Sequence, residues 1–106
     1  MRKIDIMYWK AKTPDGNEVE ENTVTVLNML INSMSANSIP RGLDSFRLFN
    51  RISKAFKKSE EKKVLVLEES DHSFLVNAIK NDIPSVWGTN ENILKAVDSV
   101  INAKEE

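Results

Sequence analysis

Apolar and polar side chains alternate along the first residues of the chain. Ile4, Ile6 and Tyr8 share one parity, Lys3, Asp5 and Met7 share the other, and the run continues through Trp9 to Lys10 and Lys12. A period of two puts successive side chains on opposite faces, so this stretch predicts a strand. Thr13-Pro14-Asp15-Gly16-Asn17 follows, joining a proline of preset φ to residues that tolerate positive φ. That pairing predicts a tight turn, with a short second strand returning at Glu18 to Glu20 to complete a hairpin.

Beyond the hairpin the period lengthens. Leu27, Leu30, Ile31 and Met34, with Val24 one turn earlier, recur every three or four residues and predict a helix over 23–36, capped by Asn22 or Thr23. Val26 and Met29, with Ser33, make a second ridge that reads as a candidate subunit contact. Small polar residues and Ile39-Pro40 end this helix, because proline biases its predecessor away from the helical region.

A second helix is expected from Leu43 or Asp44 to Lys58, with Phe46, Leu48, Phe49, Ile52, Ala55 and Phe56 on one broad apolar face. Ser59 to Lys63 reads as a polar connector, and Val64-Leu65-Val66-Leu67 as one buried strand that joins the hairpin in a three-stranded sheet. Glu68 to Asp71 supplies acids where a helix begins, and Phe74, Leu75, Ala78 and Ile79 supply the apolar face of a third helix over 71–81. Ile83-Pro84 stops it. Trp87-Gly88 makes a bend, and Thr89 or Asn90 caps a last helix carrying Ile93, Leu94, Val97, Val100 and Ile101 on one face. The tail Lys104-Glu105-Glu106 is expected to fray. The pattern is that of a helix-rich α+β fold, an N-terminal β-hairpin plus one short strand packed with about four α-helices, in a single domain over 1–106.

Composition narrows the function classes. A hydrophobic fraction of 41% argues for a folded chain. The absence of cysteine removes disulfides, thiolate metal sites and cysteine nucleophiles, and fits a reducing cytoplasm. No signal-peptide core and no run of about 20 apolar residues is present, so a cytoplasmic protein without a membrane contact is expected. Three glycines build neither a phosphate-cradling loop nor a dinucleotide fingerprint, so no cofactor is expected and no small-molecule substrate is indicated.

The overall charge of −1 conceals a segregation: net −1 over residues 1–40, net +5 over 41–63 and net −5 over 64–106. Arg47, Arg51, Lys54 and Lys58 recur at i, i+4, i+7 and i+11, lining one ridge of the second helix, with Arg41, Lys57, Lys62 and Lys63 nearby. Three readings stand for this ridge: a solvated face neutralised by the acidic C-terminal half, a surface for an acidic protein, and a phosphate track for nucleic acid. Trp87 reads either as a plug across a helix junction or as an exposed anchor for a partner.

Catalytic chemistry has little to stand on. Ser70, Asp71, His72 and Ser73 are triad residue types, but neighbours on one helical turn point apart, and His72 reads as an exposed first-turn histidine. Asp15-Gly16-Asn17-Glu18 lacks the ligand spacing of a calcium loop, and Glu68, Glu69 and Asp71 are accounted for by the helix dipole, so no metal is expected.

The order of elements, with Leu65-Val66-Leu67-Glu68-Glu69-Ser70-Asp71 followed by Phe74-Leu75 leading into two closing helices, resembles small phage and prophage proteins of about this length. The resemblance implies an assembly or accessory role and no active site. The expected function is therefore a non-enzymatic binding or assembly protein, acting on a protein partner or on itself through helical surfaces, with Arg47, Arg51, Lys54, Lys58 and Trp87 as candidate contact residues. The alternative is a nucleic-acid-associated accessory factor using the same basic ridge.

Overall fold

The apolar periodicities translate into nine elements in a computed structural model that describes residues 1–35 and 37–104. They are β1 (Arg2–Asp5), β2 (Tyr8–Lys12), β3 (Glu18–Asn22), α1 (Thr23–Ser33), α2 (Leu43–Lys62), β4 (Val64–Leu67), α3 (Glu69–Asp82), a 3₁₀ turn (Ser85–Thr89) and α4 (Glu91–Ile101). The architecture is the expected α+β one.

The predicted hairpin forms from β2 and β3, with Lys12 opposite Glu18 and Tyr8 opposite Asn22. Gly16 adopts φ +88° at the turn, where Thr13 N–H donates to the Asn17 carbonyl at 2.8 Å. The Asp15 carboxylate accepts from the Thr13 hydroxyl and from Asn17, and these bonds lower its pKa. Its oxygens thus serve the turn.

The expected three-stranded sheet does not form. β4 pairs antiparallel with β1, placing Ile4 opposite Leu65 and Lys3 opposite Val66, while the hairpin is a separate two-stranded sheet. The reason lies at Ile6 and Met7. Met7 exchanges bonds with Thr23, whose side-chain oxygen accepts from Met7 N–H at 3.0 Å and whose own N–H donates to the Met7 carbonyl at 3.1 Å. Those backbone groups are spent on the start of α1, so the first strand is cut in two there.

One face of the β1–β4 pair and one face of each helix enclose the core. Ile4, Leu65 and Leu67 meet Val26, Leu27 and Leu30 of α1, Ile52 and Phe56 of α2, Leu75 and Ile79 of α3, and Val97 and Val100 of α4. Each such burial stabilises by about 1.5–3 kcal/mol. Asn22 and Asn90 cap α1 and α4 by accepting from free first-turn amides.

Several expectations are corrected by this packing. Helix α1 ends at Ser33 rather than 36, and Ala36 lies outside the described residues. Of the ridge read as a subunit contact, Val26 is fully buried in the core, Met29 is half-buried against it and Ser33 is exposed. Phe46, at 69% exposure, and Leu94 stand outside the core that they were expected to join. Helix α2 runs on to Lys62, since buried Ser59 returns its hydroxyl to the Phe56 carbonyl and Lys63, at φ +61°, caps the last turn through Ser59. Glu105 and Glu106 of the expected frayed tail lie outside the described residues.

Candidate functional site

Alternation along β4 decides what its two faces do. Leu65 and Leu67 point into the core, leaving Val64 and Val66 half-buried on the outer face of the sheet. Helix α2 runs antiparallel beside them, bringing Lys62 next to Val64 and Arg51 next to Glu68. Together they enclose an open groove of about 340 Å³. Ala55, Val64 and Val66 make its apolar floor, Lys54, Lys58 and Lys62 its long wall, and Arg51, Glu68 and Asp71 its far end, with Met1 alongside.

The expected basic ridge is therefore brought together only in part. Arg51 is occupied: its Nη2 donates to Asp71 Oδ1 at 2.9 Å, its Nε donates to Oδ2 at 3.2 Å, and Glu68 Oε2 lies 3.7 Å away. Hydrogen bonding to Asp71 raises the Arg51 pKa further, so the pair is a fixed, neutral end wall. Asp71 is buried, and the arginine satisfies a carboxylate that would otherwise be costly there. Arg47 is exposed on α2 and does not line the groove. Lys62 does, because α2 continues one turn past Lys58. Among the described residues, Lys54, Lys58 and Lys62 form no ion pair.

The other singled-out residues lie elsewhere. Trp87, in the 3₁₀ turn, packs half-buried against the core cluster and does not meet the lysine row. Lys63 is diverted to the Tyr8 ring, its Nζ 5.2 Å from the centroid. Trp9 sits on the opposite hairpin face, with Nε1 donating to Glu21 at 3.3 Å.

His72, expected to be exposed, is buried, with Nε2 donating to the Val100 carbonyl at 2.7 Å. Asp71, one residue earlier on α3, is turned about 100° away toward Arg51 of α2 while His72 faces α4, so the two side chains have separate partners. Glu69 accepts from Arg2 Nε and Nη2 at 2.9 and 2.8 Å, and this bonding lowers the Glu69 pKa. Each of the three acids at this helix start thus faces an arginine. Among the described residues, no group of three His, Cys, Asp or Glu side chains is placed to hold a metal, and no helix is long and apolar enough to cross a membrane.

Comparison with protein-family models, curated proteins and solved structures finds no match to this chain.

Proposed function

We propose that this is a non-enzymatic, cytoplasmic binding or assembly domain that takes an acidic segment of a protein partner in the groove between α2 and β4. The carrying observation is the conjunction of three lysines that form no ion pair among the described residues with an open apolar floor of Ala55, Val64 and Val66. A lysine row alone is ordinarily a solvated face. A row bordering uncovered apolar surface is different, because a partner that excludes water from the floor also strengthens its contacts with the cations. The phage-like order of elements accords with an assembly or accessory role.

A nucleic-acid reading uses the same lysines and is weaker on two counts. Arg51 at the groove's far end is held by Asp71 and Glu68, so a phosphate backbone that continues past the three lysines meets no further free cation there. None of the lining residues is aromatic, so unpaired bases find no stacking platform.

The test compares the wild-type domain with a Lys54→Glu/Lys58→Glu variant, both confirmed as folded by circular dichroism. Quantitative affinity capture from an extract of the source cells is expected to retain a defined protein with the wild type and lose it with the variant. The same proteins held equally by both would overturn the reading. Titration of labelled duplex and single-stranded DNA at two salt concentrations gives the other arm: steeply salt-dependent binding that the variant abolishes would establish the nucleic-acid alternative instead.

A further inference from the structure

We infer that the groove reads an extended segment in which three acidic residues alternate with apolar ones, each acid opposite one of Lys54, Lys58 and Lys62. This deepens the proposed protein-binding function and rests on it. The argument is one of register. Lysines four residues apart on a helix are separated by about 6 Å along its axis. Side chains two residues apart on an extended chain are separated by about 6.7 Å. Over the two intervals from Lys54 to Lys62 the mismatch is only about 1.4 Å, which the flexible lysine stems absorb.

The floor supplies the second half of the pattern. In an extended segment lying along α2 with its acids toward the lysines, the intervening side chains point away from that wall. There they meet Val64 and Val66 of β4, which favour small or branched apolar groups. A helical segment with acids four residues apart repeats at the same interval of about 6 Å as the lysines, so a peptide of that spacing binding more tightly than the alternating one overturns the extended register.

The ends of the groove set the number of acids. Arg51 lies one turn before Lys54 but is held by Asp71 and Glu68, so a fourth acid there meets a neutralised cation beside two carboxylates. At the other end, Lys63 turns the chain in the left-handed conformation and leaves α2. The site thus selects three acids spaced by two, and a longer acidic run gains nothing from Arg51.

The experiment uses the whole domain and fluorescein-labelled synthetic peptides in anisotropy titrations. One peptide carries Glu-Val-Glu-Val-Glu between Gly-Ser flanks, its isomer carries Glu-Glu-Glu-Val-Val between the same flanks, and an oligothymidylate is the third probe. The alternating peptide is expected to bind at least about tenfold more tightly than the isomer. Lys58→Glu, at the middle of the row, is expected to abolish that preference, whereas Lys57→Glu, an equal charge change on exposed surface outside the groove, leaves it intact.

Equal binding of the two peptides, or equal loss in both variants, overturns the register and leaves only charge counting. Absence of peptide binding also overturns it, and the cell-extract capture then decides separately whether the broader reading survives. Oligothymidylate binding as tightly as the alternating peptide overturns the protein occupant altogether.

Discussion

Truncating Leu65 and its neighbour Val66 to alanine, one at a time, tests the arrangement from which the groove follows. Leu65 is fully buried against helices on the core side of β4, whereas Val66 is half-buried on the outer side. Leu65→Ala removes buried methyl groups and leaves a cavity, and such changes cost about 3–4 kcal/mol in well-packed cores. Val66→Ala removes about two carbons from a surface already half in water, and costs about 1 kcal/mol.

For a small domain holding about 6–8 kcal/mol in total, the first change consumes roughly half of the stability and the second a small part. With a urea m-value of about 1.5 kcal/mol/M, the denaturation midpoint falls by about 2–2.5 M for Leu65→Ala and by about 0.7 M for Val66→Ala. Equilibrium urea unfolding followed by circular dichroism reads both midpoints. Equal midpoint shifts would refute the reasoning, because they require Val66 to be as deeply packed as Leu65. A larger shift for Val66 would mean that the strand is slipped by one residue, which exchanges its faces.

Three further outcomes follow from other parts of the fold. His72→Leu keeps most of the buried volume but removes the donor to the Val100 carbonyl, and is expected to lower stability by about 1–2 kcal/mol in the same urea assay. Gly42→Ala places a β-carbon on a residue at φ +104° immediately before α2, and is expected to cost about 1–3 kcal/mol by thermal unfolding even though nothing crowds the site. Glu69 has its pKa lowered on folding by the bond from Arg2, so its stabilising effect is present above the ordinary glutamate pKa and is lost as pH falls through the lowered value. Glu69→Gln should accordingly flatten the acid limb of stability against pH, and an unchanged limb would show that the Arg2 bond is not maintained in solution.

The parts of this fold that sequence reveals are those whose cause is local. Val64-Leu65-Val66-Leu67 is a strand because its residues suit one, Asp15-Gly16 turns because Gly16 accepts positive φ, and Asn22 and Asn90 cap because their side chains reach amides two or three residues on. What stays hidden depends on distant partners. Arg51 stands in the basic ridge by spacing alone, yet its partner Asp71 is 20 residues away and takes it out of the row. His72 looks exposed until Val100, 28 residues on, is packed against it. The pairing of β4 with β1 rather than with the hairpin likewise depends on Thr23 capturing the Met7 backbone.

Ser59 to Lys62 is the instructive case for the groove. These residues belong to the polar run Ser59 to Lys63 that reads as a connector, but a serine that bonds a carbonyl of its own helix can be buried, and the helix continues to Lys62. The available signal was the spacing of Lys62, four residues beyond Lys58. Taking that spacing as a continued ridge would have shifted the candidate row one turn toward β4 and replaced Arg47 with Lys62.

Nitrogen-15 chemical-shift mapping of the intact domain with the alternating glutamate–valine peptide bears most directly on the groove as the binding surface. Perturbations are expected to gather on Lys54, Ala55, Lys58 and Lys62 and on Val64 and Val66, with Trp87 unmoved. Shifts centred on Leu43 and Phe46 or on Trp87, with the lysine row silent, would contradict the account.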